Sequence, residues 1–376
     1  MCPDVHYTYN SKITIKLGGN YMRFLKSPLG VTLLFALIVV VLQFTNKAEA
    51  ARDIGILVLF AILTFFIHEL GHVVFGVAAG YQFNFLTVGP ITIERGRVRT
   101  NESWALYGGV ASCSPKTDDL QKIIQQHLWF AAGGPIVSIV VAIASLILGF
   151  MMELQLVIIF GIFNAGIFAA TIIPFKGTFK SDGRVIVELL SKGNDKEQFL
   201  SSILLIKEMM SPAHPTSWSS KLVEKARTAP VNEENIGNSC FLFYYDVFER
   251  GYDEASRGID AFKMIPITKE NKMMLQFVTH IKQIDTVMNG KFTVDELRQL
   301  HSMMLKFEPI SYTRSEWLIA KLSNDEAQAT KKLTELRKKI EQGKKQFGIY
   351  YAEERVTDLL EEKLNYKMVY NTKFIN

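Results

Sequence analysis

The sequence predicts a mainly α-helical protein that crosses a membrane several times, with a small membrane-associated β element and a C-terminal soluble helical domain. Three observations support this prediction. Four apolar stretches come close to the ~20 residues that a bilayer-spanning helix requires. The segment 82–112 has turn residues and an alternation of apolar and polar residues around Thr92 to Val98, and the chain beyond Lys192 is rich in Lys, Glu, Asp and Gln. With 376 residues, 48% of them apolar, the chain is long enough for two structural units.

The four apolar stretches predict a polytopic bundle of about four transmembrane helices. They comprise residues 29–45, 54–79, 128–151 and 154–173. We therefore expect an N-terminal segment over residues 1–28, a transmembrane unit over 29–190 and a soluble helical domain over 191–376. The first stretch is the shortest, but Arg23 and Lys26 before it can extend toward the lipid headgroups.

The distribution of Lys and Arg predicts the orientation of this bundle in a cell membrane. Basic residues near the ends of the spans are Lys12, Lys16, Arg23, Lys26, Arg95, Arg97, Arg99, Lys116, Lys122, Lys176, Lys180 and Arg184. All of them fall before the first span, between the second and third, or after the fourth. The two remaining connections carry only Lys47 and Arg52. Because basic loops stay on the cytoplasmic side, both termini and the soluble half should be cytoplasmic.

The connection between the second and third spans predicts a β hairpin or small sheet. Its alternating residues are separated by the turn pairs Gly89-Pro90 and Gly108-Gly109 and by Gly96. A plain amphipathic connector is the alternative. Residues 115–126, which follow, predict a short helix on the membrane surface, with Thr117 and Asp118 as cap candidates.

The soluble half is predicted to be helical almost to its end. Thr293 and Glu296 form a capping-box pattern at the start of one helix. Two passages, which end at Ala255 and Ala327, each predict a helix, a tight turn and a second helix. They are similar to degenerate tetratricopeptide pairs, although that fold usually needs three or more repeats, and a plain bundle is an equal alternative.

Composition excludes some partners and sites. The formal net charge is +5, but Lys and Arg are interleaved with acids, so we expect no nucleic-acid partner. Cys2, Cys113 and Cys240 are far apart and form no CxxC pair, which argues against a disulfide framework and against a thiolate metal site. This pattern favours a reducing compartment for the soluble half.

The second span contains His68-Glu69-Leu70-Gly71-His72, the H-E-x-x-H pattern on an apolar helix. Residues four apart share one helix face, so both imidazoles can reach one Zn²⁺, and the intervening Glu69 lies beside its open position. Ionisable side chains inside a membrane are costly, about 2.5–3.5 kcal/mol each, and three of them in one helix favour a shared cation. The alternative is polar packing within a helix bundle.

A hydrolytic zinc site needs a third protein ligand, and Asp182 is the best-placed carboxylate. It follows the fourth span, which returns to the same side of the membrane as His72. A helix N-cap that opens the following helix is an equally good interpretation of Asp182 taken alone.

These motifs resemble the site-2 protease family of intramembrane zinc metalloproteases. The resemblance rests on HELGH at residues 68–72, on Gly-Gly-Pro-Ile-Val-Ser at 133–138 and on Ser-Asp-Gly at 181–183, in the family's order. It covers residues 54–190. It implies that His68, His72 and Asp182 bind zinc and that Glu69 is the catalytic carboxylate.

One motif departs from the family pattern. The usual Asn-Pro-Asp-Gly or Leu-Asp-Gly reads Lys-Ser-Asp-Gly here, and Pro174 stands well before Asp182. Gly134, Ser138 and Asn164 are further candidates for substrate contacts. Close helix packing is sufficient to explain the first two, and an interhelical hydrogen bond is the favoured alternative for Asn164.

The resemblance implies cleavage of a membrane-anchored protein or peptide within the lipid bilayer of a bacterial cell. An extended substrate could add to an edge strand of the β element, and the helical half could dock a protein partner or serve only as a structural bundle. Two other functions compete. A catalytically silent metal-binding scaffold would not need Glu69, and a zinc transporter would need polar residues in several spans, which the first span lacks.

Overall fold

The structure is a computed structural model that describes residues 24–373 except 95, 102, 176–179, 231–234, 269–270, 272–274, 291–292 and 306–308. The described part is mainly helical, with 15 α-helices and one four-stranded antiparallel sheet. The predicted fold class is confirmed at this level. The N-terminal segment and several of the basic residues used for orientation, Lys12, Lys16, Arg23, Arg95 and Lys176, lie outside the described residues.

Four apolar helices form the first half of the chain. They are α1 (Pro28–Leu42), α2 (Ala48–Ala78), α3 (Leu120–Met151) and α4 (Gln155–Ile172). Helices α2, α3 and α4 are long and apolar enough to cross a membrane, whereas α1 has 15 residues. At a rise of 1.5 Å per residue, α1 is only ~22 Å long, compared with the ~30 Å of a bilayer core. Three of the four predicted spans therefore meet the length requirement.

The connection between α2 and α3 folds into the predicted small sheet. Its strands are β1 (Gln82–Val88), β2 (Ile91–Glu94), β3 (Arg97–Thr100) and β4 (Val110–Ser114), in the order β3-β2-β1-β4. Gly89 and Gly96, at φ of 55° and 76°, form the first two turns because glycine adopts positive φ without a steric penalty. Strand β4 pairs with β1, for example through Leu86 and Ala111, and it is the last strand in the order. It is therefore an edge strand of the sheet.

The predicted short surface helix over residues 115–126 is wrong. Asp119 is the N-cap of α3, its side chain accepts hydrogen bonds from the amides of Gln121 and Lys122, and the helix then continues without a break to Met151. Thr117 accepts a hydrogen bond from the Asp119 amide instead of capping the helix itself. The polar first turns of α3 are therefore an extension of a membrane helix.

The second half is helical, as predicted. Its helices are α5 (Asp182–Leu190), α6 (Asn194–Met209), α7 (Ser220–Thr228), α8 (Ile236–Glu249), α9 (Tyr252–Arg257), α10 (Asp260–Lys263), α11 (Gln276–Met288), α12 (Val294–Met303), α13 (Pro309–Leu322), α14 (Glu326–Lys344) and α15 (Ile349–Lys373). The capping box of Thr293 and Glu296 is confirmed at the start of α12. Tight turns separate α8 from α9 and α13 from α14, where the two helix-turn-helix passages were predicted.

Two apolar clusters organise this half. The larger one extends from Leu205 on α6 to Leu364 on α15 and forms the core of the helical domain. The smaller one joins Ile123 and Ile124 of α3 to Leu189 of α5 and Leu200 of α6. This second cluster attaches α5 to the polar end of α3, and α5 begins with Asp182.

Candidate functional site

Helix α2 supplies three polar residues to the interior of the helix bundle. His68 and His72 lie one turn apart and are 3% and 5% exposed, whereas Glu69 is half-buried. The two imidazole Nε2 atoms are 3.2 Å apart. Buried polar side chains require partners, so the short distance between the two imidazoles indicates that they share a binding partner.

Asp182 completes a compact group of donor atoms. Its Oδ2 is 3.2 Å from Nε2 of His68, and its Oδ1 is 3.4 Å from Nε2 of His72. Although burial opposes ionisation, the two nearby imidazoles lower the pKa of the Asp182 carboxyl group to about 2. The group therefore brings together two imidazole nitrogens and one carboxylate.

The donor atoms fit a tetrahedral zinc ion. Zinc binds imidazole nitrogen and carboxylate oxygen at ~2.0–2.2 Å, and a tetrahedron of such bonds has edges of ~3.3–3.4 Å. The 3.2 Å between the two Nε2 atoms is close to such an edge, and each imidazole has one of the two Asp182 oxygens at 3.2 or 3.4 Å. Oδ2 of Asp182 is buried and has no hydrogen-bond partner among the described residues, which leaves it available to a cation. His68, His72 and Asp182 can thus hold a metal through three ligands and leave a fourth position open.

Helix α3 orients both imidazoles. Nδ1 of His72 lies 2.7 Å from the carbonyl oxygen of Phe130, to which it donates, and Nδ1 of His68 lies 3.0 Å from Oγ of Ser138. Because the Phe130 carbonyl can only accept, Nδ1 of His72 is the donor in this contact, and Nε2 is the ring nitrogen that faces Asp182. Such outer contacts fix the tautomer and orientation of metal-binding histidines.

Three glycines allow α2 and α3 to approach closely. A Cβ on Gly71 would lie 2.6 Å from the Gly133 carbonyl oxygen, and a Cβ on Gly133 would lie 2.5 Å from that of Gly71. A Cβ on Gly134 would lie 2.3 Å from Nε2 of His72. Small residues at this crossing therefore give the His72 imidazole its space, in agreement with the predicted packing function.

Asp182 is held by the loop that precedes it. Ser181, and not Asp182, is the N-cap of α5, because its Oγ accepts the amide of Arg184 at 3.2 Å. The same Oγ donates to the Ile173 carbonyl at 2.8 Å. A Cβ on Gly183 would lie 1.8 Å from the Ile172 carbonyl oxygen, so glycine is needed where α5 meets the end of α4. The carboxylate of Asp182 is thus free of capping and faces the histidines.

The β sheet contacts Glu69 through strand β4 and the turn that precedes it. The Glu69 carboxylate accepts a hydrogen bond from the backbone amide of Ala111 on β4. Gly109, at φ of 115°, lies so close that a Cβ there would be 2.7 Å from Cγ and 2.9 Å from Oε1 of Glu69. An edge strand and a glycine turn therefore fix the direction of the Glu69 side chain.

Asn164 lies on α4 and contacts α2 at Thr64, one turn before His68. It is fully buried, and its Nδ2 donates to the Phe160 carbonyl at 2.9 Å and to Oγ1 of Thr64 on α2 at 3.4 Å. Its Oδ1 has no hydrogen-bond partner in the described part of the chain. The structure thus contains the interhelical hydrogen bond that was the favoured alternative, and a substrate contact of Asn164 stays a prediction.

Several residues of this arrangement were not expected from the sequence. The Phe130 carbonyl and the Ala111 amide are backbone groups, which no side-chain motif identifies. Gly109 was expected only as a turn residue, and its contact with Glu69 depends on the path of the sheet. Within the described residues, His68, His72 and Asp182 are the one group of His, Cys, Asp or Glu with metal-binding spacing, and His214, His280 and His301 of the helical domain lie outside it.

Comparison with known protein families agrees with the family resemblance of the sequence motifs. The model of peptidase family M50, the site-2 protease family, matches residues 54–335. This match continues beyond the motifs into the helical half. Comparisons with curated proteins and with solved structures gave no significant match. Since the matched range spans most of the sequence, the chain belongs to peptidase family M50, a family of intramembrane metalloproteases.

Proposed function

We propose that this protein is a zinc endopeptidase in which His68, His72 and Asp182 bind Zn²⁺ and Glu69 is the general base. The observation that carries the proposal is the convergence of two imidazole nitrogens and the Asp182 carboxylate, with one ligand atom from each residue within 4.8 Å of the others, which is the donor set and spacing of a zinc site. The family assignment supports protease chemistry in a membrane setting.

Zinc held in this way supplies Lewis acidity at an open fourth position. The Glu69 carboxylate takes a proton from the attacking water and passes it to the amine of the leaving peptide. The hydrogen bond from the Ala111 amide and the contact with Gly109 hold the carboxylate in place for both transfers. Hydrogen bonds at Nδ1, to the Phe130 carbonyl for His72 and to the Ser138 hydroxyl for His68, keep the Nε2 atoms directed toward the metal position.

The substrate is a membrane-anchored protein or peptide that unwinds near the site. A peptide bond within a helix is shielded by the helix's own hydrogen bonds, so the segment has to be extended before water can attack. The edge strand β4 offers backbone groups for an added strand and lies against Glu69. Gly134, Ser138 and Asn164 remain candidate substrate contacts, in addition to their contacts with His72, His68 and Thr64.

We further propose a multi-pass cell-membrane location with four spans and cytoplasmic termini. Helix α1 exposes apolar residues such as Leu33, Leu37 and Val41, which suits a lipid-facing helix, and Lys26 precedes it. The chain then comprises a segment over residues 1–28, a transmembrane protease unit over 29–190 and a helical domain over 191–376. The helical domain, with a tetratricopeptide-like or plain bundle arrangement, docks a protein partner. A silent scaffold is less favoured, because the positioned carboxylate of Glu69 has no use without turnover.

The proposal is tested by cleavage that depends on zinc. Detergent-purified protein is reconstituted with a membrane-protein extract, and new peptide termini are identified by mass spectrometry. We expect termini within or beside transmembrane segments, their loss after treatment with a chelator, and their return with added Zn²⁺. The His68→Ala/His72→Ala variant serves as the metal-free control. Termini that persist in this variant, or their absence with the zinc-loaded wild type, would contradict the proposed activity.

Gly109→Ala is expected to slow cleavage by about 10²-fold, because a displacement of ~1 Å in a catalytic group has that effect. The new Cβ would contact Cγ of Glu69 at 2.7 Å, and φ of 115° disfavours any side chain at this position. Zinc content should be unchanged. Gly108→Ala is the matched control, since nothing lies within 4 Å of its Cβ position. Equal cleavage rates for the two variants would argue against a positioned Glu69.

Ser138→Ala is expected to weaken zinc binding by about 10–100-fold, as loss of an outer hydrogen bond to a metal-binding histidine usually does. The variant removes the 3.0 Å contact with Nδ1 of His68 and leaves that ring nitrogen without its partner. Competition with a zinc chelator measures the change. Ser145→Ala, two turns along the same helix and also buried, should retain wild-type affinity. If both variants bind zinc equally well, Ser138 does not orient His68.

A further inference from the structure

Helix α5 exposes two of its five apolar residues and buries one of its two acids. Val187 and Leu190 are 47% and 65% exposed, whereas Glu188 is 4% exposed. A surface helix in water turns its large apolar residues toward the core, as α5 does with Leu189, and its charges toward solvent. The side of α5 that exposes Val187 and Leu190 is therefore suited to an apolar environment.

The burial of Glu188 is compensated from within the helix and its leading loop. The Glu188 carboxylate accepts hydrogen bonds from Nζ of Lys180 at 2.6 Å and from Nε of Arg184 at 2.8 Å. Both cations remain about one-third exposed. Their long apolar stems can lie along a lipid surface while the charged groups stay hydrated.

Exposed apolar residues also occur in residues 173–175, the described start of the link between α4 and α5. Ile173 and Phe175 follow directly on the last residue of the membrane helix α4 and are 60% and 54% exposed. The α4 helix, with 18 residues and a length of ~27 Å, crosses a bilayer core just once and ends at its surface. Exposed apolar residues are therefore present both directly after a membrane-spanning helix and on α5.

The packing of α5 against α3 indicates the depth of α5 relative to the bilayer. Helix α3 has 32 residues, or ~48 Å, so roughly 12 of them extend beyond a core of ~30 Å. Leu189 of α5 packs on Ile123 and Ile124, which belong to this extension. Trp129, 55% exposed, lies where the extension ends, as expected for an aromatic residue at a membrane interface. Helix α5 is thus at the level of the headgroups and outer acyl chains.

We propose that α5 is an interfacial membrane helix whose apolar side, formed by Val187 and Leu190, inserts into the lipid surface. The partner is the bilayer itself, because exposed apolar residues directly follow the membrane helix α4 and because α5 packs on α3 at the boundary level. This placement is independent of the proposed protease activity. Since Asp182 is the first residue of α5, the lipid surface would also steady the helix that carries the third candidate ligand.

Spin labelling of the full chain tests this proposal. Nitroxides are attached to Val187→Cys and Leu190→Cys in a background with Cys2, Cys113 and Cys240 replaced by serine. The protein is reconstituted in vesicles of phosphatidylcholine and phosphatidylglycerol, and collisions with oxygen and with a water-soluble nickel complex are measured. Val140, on the exposed side of α3, provides the lipid reference, and Met264, 83% exposed in the helical domain, provides the water reference.

We expect the ratio of oxygen to nickel accessibility at residues 187 and 190 to approach that at Val140 and to exceed that at Met264 several-fold. A ratio equal to that at Met264 would show a solvated helix and overturn the proposal. Protection from both reagents would also overturn it, because a protein partner or a second copy would then cover α5. If the cysteine-free chain does not fold, quenching of Leu190→Trp fluorescence by brominated lipid, with Met264→Trp as control, decides the same question.

Discussion

Glu69→Gln is expected to abolish cleavage while zinc remains bound. The amide has the size of the carboxylate and still accepts the hydrogen bond from the Ala111 amide, but it cannot take a proton from water. Positioned general bases contribute about 10²–10⁴-fold to a rate, so turnover should fall by at least that range. Cleavage of a reconstituted substrate and zinc content per chain are measured on the same preparation.

The control for this variant is Glu153→Gln, an exposed glutamate at the far end of α3. It should cleave at the wild-type rate and hold the same amount of zinc. Cleavage by Glu69→Gln at a rate comparable to this control would remove Glu69 from the proposed mechanism. Loss of both zinc and cleavage in Glu69→Gln would instead indicate that Glu69 supports the fold of the site.

The second large effect is expected from Gly134→Ala, which should prevent zinc binding. Its Cβ would lie 2.3 Å from Nε2 of His72, the atom proposed to bind the metal. The imidazole would have to leave its position between α2 and α3, and the hydrogen bond to the Phe130 carbonyl would break. Overpacking of this kind also costs about 1–3 kcal/mol of stability, so helix content is checked alongside zinc content.

Gly166→Ala makes the same substitution in a membrane helix without a neighbour within 4 Å of the Cβ position. It should keep zinc and cleavage, and the gain in helix propensity is about 1 kcal/mol. Zinc bound equally by the Gly134→Ala and Gly166→Ala variants would mean that His72 does not occupy the described position. Folded Gly134→Ala protein without zinc is the expected result.

Much of the site could be predicted because short-range patterns specify it. The one-turn spacing of His68 and His72 brings both imidazoles to one helix face, so their proximity follows from helical geometry alone. The contact of Asp182 with them could not be derived in this way. It depends on Ser181 as the N-cap and on the close approach of Gly183 to Ile172, and adjacent Ser and Asp residues are both good N-caps.

The error over residues 115–126 has a similar origin. The polar composition of this stretch favours a separate surface helix, but its apolar residues Ile123 and Ile124 pack on Leu189 and Leu200, which lie far along the chain. That packing extends α3 beyond the membrane. Local sequence contains the cap at Asp119 but not the distant partners that decide where the helix runs.

The helical domain shows the same limit. Its helices follow from periodicity and from the capping box, but its buried polar contacts do not. Arg314 forms a buried ion pair with Glu353, and the hydroxyl of Tyr244 donates to the same carboxylate. These three residues lie on α13, α15 and α8, and a sequence pattern does not indicate which distant charges will pair inside a core. Such a pair needs all its partners, because an uncompensated buried charge costs several kcal/mol.

The most direct test of the central claim is zinc X-ray absorption spectroscopy of the purified wild type and the Asp182→Ala variant. The proposal predicts about one zinc per chain, with two imidazole nitrogens and a carboxylate oxygen at ~2.0–2.2 Å and no sulfur. Asp182→Ala should lose the carboxylate oxygen and bind zinc more weakly. Wild-type protein without zinc, a sulfur neighbour at ~2.3 Å, or an Asp182→Ala spectrum identical to that of the wild type would contradict the assigned site.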